Sequence, residues 1–470
     1  MPVRIRPARA PLERRATNGD SLPDNRLSFM DQALFSALRA TGQAGVIQAV
    51  WVYEHAVDFG GLRRFHQNLG YGLLGRRIER SPLPFGRHRW VLDRRPSELD
   101  IAECARSRAE LDDWADERSQ LPTDPEWGPG WHLGVLPLTD GSTAVSLVVS
   151  HYLIDGLGLG LTVADAVRGN TRDLGYPPPR SRTRLRAVVQ DARETSQDIP
   201  EVARALVAAA KQARRRGKDI ARPRTPRPID TFVGDGDESV VVPAITTYID
   251  LSDWDARAKD IGGNGNSLLV GFAARLGARM GRRHAGDGAV TVQLPMSDRT
   301  EDDTRANALS WVSVSIDPTR VTTDLRDTRA AIKQTLTILR EAPEESMQLH
   351  PLAPLAPFTP KRAMKRLADT AFDYANLPVG CSNLGDVNSL VCCLDGTEAE
   401  YLTARGIEQN VTRQRLEQTG GHMTLVSGRI GGKIGITVVA YQPGGTNSKP
   451  HLRELAASTL AEFDLTGVIA

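Results

Sequence analysis

Cysteine is scarce in this chain: four residues, Cys104, Cys381, Cys392 and Cys393, among 470. None has the paired spacing of a zinc ligand set, and the adjacent Cys392-Cys393 suits neither a metal nor an easy structural disulfide. A reducing, cytoplasmic setting is the expectation. No apolar run reaches the ~20 residues that span a bilayer. The opening stretch MPVRIRPARAPLERRATNGD is basic but has no apolar core. That argues against a secretory signal and for a disordered tail over residues 1–25, with peripheral membrane contact left open. Charge of one sign is lacking too. The formal net charge is +2, which gives no case for nucleic-acid binding.

What remains is a normal globular composition, 40% hydrophobic and 25% charged, in a chain too long for one ordinary core. Composition shifts divide it into the tail, a first half over residues 26–171, an Arg- and Pro-rich crossover over 172–230, and a second half over 231–470. No internal repeat is visible.

The sharpest stretch is Val145 to Asp165, VSLVVSHYLIDGLGLGLTVAD. Val145 to Val149 reads as a buried strand, continuous and β-branched apart from Ser146. It ends at Ser150-His151. A turn with Asp155, Gly156, Gly158 and Gly160 follows, and Leu161, Val163, Ala164 and Val167 begin a helical pattern. Histidine suits acid and base work near neutral pH, and a strand end held by a tight turn is where α/β enzymes present such groups. Gly156 allows close backbone approach.

His151-x-x-x-Asp155-Gly156 resembles the active-site motif of the CoA-dependent acyltransferase superfamily. That superfamily includes chloramphenicol acetyltransferase, polyketide-associated acyltransferases, wax ester synthase/diacylglycerol acyltransferases and peptide-synthetase condensation domains. The family's fuller motif carries a histidine before the base; here Ser150 stands there and the base position is kept. The order of further landmarks is similar to the wax ester synthases and condensation domains. The chain opens Leu27-Ser28-Phe29-Met30-Asp31, where Ser28 is read as a helix cap. An Arg76-Arg77 segment and a strand with Trp90 come next, and Trp131 lies on a strand expected to pair with the motif strand. In the second half, Asn266-Ser267 stands where the family has Asn-Asp. Pro295-x-Ser297-x-Arg299 is followed by Asn307, and Ser382-Asn383-Leu384-Gly385 resembles a strand end near the family's substrate channel.

The resemblance implies an α/β fold: two chloramphenicol acetyltransferase-like subdomains with mixed sheets and a tunnel between them. It implies an O-acyltransferase in which His151 is the general base toward a hydroxyl acceptor, with no covalent intermediate. Asp155 and Gly156 are expected to shape the loop, with Arg76 or Arg77 as the arginine that pairs with Asp155. Ser150, Asn266, Ser382 and Asn383 are the substrate-binding or oxyanion candidates. No metal and no tightly bound cofactor are expected. An acyl-CoA or an acyl carrier thioester serves as co-substrate, with a carrier protein as a possible partner. Two other readings stand beside this one: a free-standing condensation enzyme using a carrier-bound donor, and an inactive scaffold, which Ser150 and Ser267 keep open.

Elsewhere, Ser252 to Asp255 reads as a capping box, Gly217 as a helix stop, Pro351 to Pro360 as a proline-broken loop, and Gly431-Gly432 as a hairpin turn.

Overall fold

The computed structural model describes residues 24–94, 98–219, 238–300, 302–341, 350–371 and 377–469. Most of the expected basic tail and the RPRTPRP run lie outside the described residues. Asn25, the last residue assigned to the tail, is buried and donates from Nδ2 to the Trp90 carbonyl at 2.8 Å.

The first half opens with α1 (Phe29–Thr41), capped by Ser28, and β1 (Ala44–Tyr53). Then come α2 (Phe59–Leu69), the hairpin β2 (Arg76–Glu79) and β3 (Arg89–Leu92), β4 (Asp100–Ile101) and α3 (Leu111–Ser119). The hairpin β5 (Trp131–Pro137) and β6 (Thr143–Ser150) leads to α4 (Gly156–Arg168). The crossover forms α5 (Arg184–Gln197) and α6 (Ile199–Asp219). The helix α6 continues past Gly217, the expected stop.

The second half contains β7 (Ala244–Asp250), α7 (Leu251–Asp260), α8 (Gly265–Arg279), β8 (Val290–Ser297), β9 (Leu309–Ile316) and α9 (Arg326–Glu341). Asp250 caps α7 by accepting from the Ser252 amide, so the helix starts two residues before the expected Ser252 cap and no capping box forms there. Tight 3-10 turns over His350–Phe358 replace the expected proline loop and precede α10 (Lys361–Ala371). The chain continues with β10 (Val379–Asp386), β11 (Tyr401–Gln409), α11 (Arg413–Thr419) and β12 (His422–Ile430). It ends with β13 (Lys433–Tyr441), α12 (Lys449–Ala461) and β14 (Val468–Ile469). Gly431 and Gly432 both take positive φ in the turn between β12 and β13, as a tight hairpin requires.

Two mixed sheets result. The first runs β11-β1-β6-β5-β4 and the second β14-β7-β13-β12-β10-β8-β9. The fold is therefore the expected α/β arrangement of two lobes with mixed sheets. Trp131 sits opposite Val149, so β5 pairs with the motif strand as expected.

β6 is buried along its whole length because it is a central strand covered on both faces. Val145, Leu147 and Val149 pack with Leu62 and Phe65 of α2 and Leu159 and Val163 of α4. Ala144 faces Trp114 and Ala115 of α3. Ser146, the one polar residue in the run, accepts a 2.9 Å hydrogen bond from Gln48, whose side-chain oxygen accepts from Arg405 at 2.7 Å.

Arg405 lies on β11, so the second half does not keep to its own sheet. After β10 the chain crosses over, and Trp51 and Tyr53 of β1 bond the Val391 and Cys392 carbonyls at 2.8 and 3.2 Å. Val391, Cys392, Leu394 and Ala399 join the first lobe's core. Chain order thus fails to separate the two lobes at residue 231.

Candidate active site

The turn after β6 is built from backbone hydrogen bonds. The His151 amide donates to the Gly45 carbonyl at 2.9 Å, which ties the turn to the start of β1. Asp155 is the N-cap of α4, and its Oδ1 accepts from the Gly158 amide at 2.8 Å. An aspartate with glycines behind it makes a sharp strand-to-helix corner, and His151 is carried on that corner.

The Asp155 carboxylate is bound at the lobe boundary. Arg299 donates from Nε to Asp155 Oδ1 at 3.0 Å and from Nη2 to Oδ2 at 2.7 Å. Oδ2 also accepts from the Ala308 amide at 2.9 Å. The two side chains are 0% and 1% exposed. The rest of the guanidinium donates to the carbonyls of Asp303, Arg305 and Ala306 at 3.2, 2.9 and 2.9 Å. A buried ion pair is tolerated when its remaining donors and acceptors are met in this way.

The arginine opposite Asp155 is therefore Arg299, and neither Arg76 nor Arg77 takes that place. Arg76 is buried against the Trp90 ring, 3.8 Å from its centroid, and donates to the Leu153 carbonyl at 2.9 Å and to the Thr304 carbonyl. It grips the motif turn through its backbone. Arg77, the next residue on β2, makes no bond to Asp155 and lines a cleft with Arg76, Asp93 and Asp124. Gly158 makes room for the true pair: a Cβ there would lie 3.1 Å from the Arg299 guanidinium carbon.

His151 is partly exposed, and burial of its ring lowers its pKa below the usual 6.5. The His151 carbonyl accepts from Asn307 Nδ2 at 3.0 Å, and the Asn307 side chain raises the pKa of the ring against that burial. Asn307 is in turn held by Asp31 of α1, whose Oδ1 and Oδ2 accept from the amides of Asn307 and Ala306, each at 3.0 Å. Burial raises the pKa of Asp31.

Among the binding candidates, the structure joins Asn266 and Asn383. Asn383 Nδ2 donates to Asn266 Oδ1 at 3.0 Å, and its Oδ1 accepts from the Gly385 amide at 2.9 Å. The next residue, Leu384, abuts the motif turn: a Cβ on Gly156 would lie 3.4 Å from its methyl. Ser382 lies beside them on β10, opposite Val426 of β12. Ser150 is buried within β6, opposite Val46. Ser267, where the resemblance has Asp, completes a capping box with Asn264 at the start of α8, each side chain accepting from the other's amide at 2.8–2.9 Å. That serine has a structural role.

No protein-family model matches the chain, and no curated protein matches it in sequence. Solved structures do. Polyketide synthase associated protein 5 from Mycobacterium tuberculosis aligns with TM-score 0.53 at 15% identity, over 94% of this chain and 98% of that one. The wax ester synthase/diacylglycerol acyltransferase from Marinobacter aquaeolei VT8 aligns with TM-score 0.54 at 15% identity, over 94% and 98%. The first condensation domain of the CDA synthetase aligns with TM-score 0.54 at 12% identity, over 95% and 100%. This is the condensation-domain and acyltransferase fold.

Asp31, Arg299 and Asn307 stand in the sequence as landmarks of the resemblance, and the acyltransferase fold brings them to the motif turn. Each had a readable signal. Asp31 sits three residues after a helix-capping serine, Arg299 follows a strand end, and Asn307 stands in a turn. What the signals lacked was the partner. Among the described residues no group of His, Cys, Asp and Glu is placed to hold a metal ion, and no helix is long and apolar enough to cross a membrane.

Proposed function

We propose that the protein is an O-acyltransferase that moves an acyl group from an acyl thioester to a hydroxyl, with His151 as general base. One observation carries the reading. His151 stands at the corner after a fully buried strand, on a turn whose Asp155 is locked by Arg299 in a buried ion pair.

The step balances as follows. Nε2 takes the proton of the acceptor hydroxyl while that oxygen attacks the thioester carbonyl. The tetrahedral intermediate collapses, the carbon–sulfur bond breaks, and the imidazolium returns the proton to the leaving thiolate. Because the pKa of His151 is lowered, the ring is neutral and ready at neutral pH. Such proton transfer contributes about 10²- to 10⁴-fold, so positioning of the two substrates along the seam between the lobes supplies much of the rest. Asn266, Asn383 and Ser382 are the groups proposed to face the developing oxyanion. Asp155 holds the turn through Arg299 and takes no proton.

Acyl-CoA is the proposed donor. The starter condensation domain of rhizomide synthetase, crystallised with C8-CoA, aligns with TM-score 0.50 at 13% identity over 94% of this chain and 98% of that one. The condensation-domain likeness also favours a second reading, in which a carrier protein presents the thioester. Thiol release from acyl-CoAs of short to long chain, with and without mixed alcohols, tests the first. Alcohol-stimulated release that vanishes in His151→Ala supports it. Release only from carrier-bound donors moves the assignment to the second reading, and none from either donor rules out acyl transfer.

A further inference from the structure

We infer that Asp31 is a positioning residue for His151, acting across the lobe boundary through Asn307. The inference rests on the general-base reading of His151.

Three successive amides of the second lobe, those of Ala306, Asn307 and Ala308, donate to two buried carboxylates of the first. Asp155 takes one and Asp31 takes two. The turn they fix is anchored again by Arg299 on the Arg305 and Ala306 carbonyls and by Arg76 on the Thr304 carbonyl. The middle residue, Asn307, is the one whose side chain reaches His151.

Position and chemistry both single out Asp31. It is 3% exposed and lies at the third residue of α1, where a carboxylate ordinarily reaches back to the helix cap. Here the carboxylate keeps a side-chain hydrogen bond to the cap Ser28, and both oxygens also accept from the other lobe. Burying a carboxylate is costly unless it is hydrogen-bonded, and a neutral side chain would cap the helix as well. The carboxylate is the group that accepts from two adjacent amides at once, which fixes the plane of the turn and hence the direction of the Asn307 side chain.

That direction matters for the base. Asn307 Nδ2 donates to the His151 carbonyl at 3.0 Å and so holds the backbone that carries the imidazole. The Asn307 side chain also raises the pKa of the ring against the burial that lowers it, which supports the imidazolium that forms in the proton transfer. A turn displaced by about 1 Å would lose this support, and misplacements of that size cost roughly 10²-fold in rate.

The test reads the ring itself by NMR of ¹⁵N-histidine-labelled full-length protein, with His151→Gln assigning the His151 signals. Wild type is expected to show one tautomer. Asp31→Asn, which keeps the shape but not the double acceptor, is expected to mix the tautomers as Asn307→Ala does. The double variant should look like Asn307→Ala alone, because Asp31 works through it. Ala306→Pro removes one donor while keeping the carboxylate, and is read in the same way if Asp31→Asn does not fold. Where transfer is measurable, kcat of Asp31→Asn falls about 10²-fold with KM little changed. A His151 ring left as in wild type by Asp31→Asn, or by Ala306→Pro in its place, overturns the proposal. So does a double variant worse than Asn307→Ala. If wild type lacks activity, the acyltransfer reading fails while the NMR comparison still decides the positioning.

Discussion

The carboxylate of Asp155 and the guanidinium of Arg299 lie 144 residues apart in the chain and form a forked, fully buried ion pair across the two lobes. The pair joins the N-terminus of α4 to the end of β8. It therefore holds the turn that carries His151 and the lobe contact in one place.

Breaking that pair leaves one buried charge without its partner. Arg299→Met or Asp155→Leu should destabilise the fold by about 3–5 kcal/mol, and the double variant by less than the sum. Urea unfolding of the four proteins measures this. Equal stability of wild type and Arg299→Met would show that the pair does not hold the lobes.

His151→Ala should behave in the opposite way. Transfer is lost, while the unfolding free energy changes by about 1 kcal/mol or less, because His151 lies in the turn after β6 and is only half-buried. Activity assays and urea unfolding on the same preparation separate the two effects.

Protonation should act on activity and stability with the same sign. Burial lowers the pKa values of His132, His151 and His422 and takes His88 down to about 4. The unfolded chain then binds more protons than the native one between about pH 4 and 6.5. The stability these histidines contribute is full above pH 6.5 and is lost as pH falls toward 4. The acid limb of kcat/KM should have its midpoint below 6.5, since His151 must be neutral to act. A midpoint above 6.5 would contradict the environment described for the ring.

Gly158→Ala tests the room left for Arg299. The new methyl would lie 3.1 Å from the guanidinium carbon, and six hydrogen bonds to Asp155 and three carbonyls keep that group from giving way. A loss of about 1–3 kcal/mol is expected. Gly156→Ala, whose methyl meets Leu384 at an ordinary 3.4 Å, should cost less. Thermal melts of the two variants decide the order.

Thiol chemistry should be irrelevant to transfer. Burial pushes the Cys381 and Cys392 thiols up to about 12, while Cys104 is exposed. A maleimide at pH 7 should label Cys104 readily and leave Cys381 and Cys392 unreacted until denaturant is added. Intact and peptide mass spectrometry reads the sites. Transfer that falls in step with Cys104 labelling would implicate a thiol the site does not contain.

The strand, corner and helix around His151 were legible because each is local. A continuous β-branched run makes the buried strand, Asp155 caps the helix, and glycines permit the corner. The hairpin at Gly431-Gly432 and the cap at Ser28 were legible for the same reason. Arg76 illustrates the limit. An Arg-rich segment pointed to an arginine near the motif, and Arg76 is there, but on the Leu153 carbonyl. Spacing along the chain says which side chains exist, and says little about which of several arginines reaches one carboxylate.

The sequence by itself determined the strand-to-helix corner that carries His151, the mixed α/β character and the residue proposed to act as base, because those depend on periodicity and capping within about twenty residues. Only the tertiary structure decided that β11 crosses into the first sheet, that Arg299 meets Asp155, and that Asp31 holds the turn bearing Asn307. Those contacts join groups far apart in the chain across a dry boundary between lobes. There a buried polar atom must find a partner wherever the folded chain supplies one.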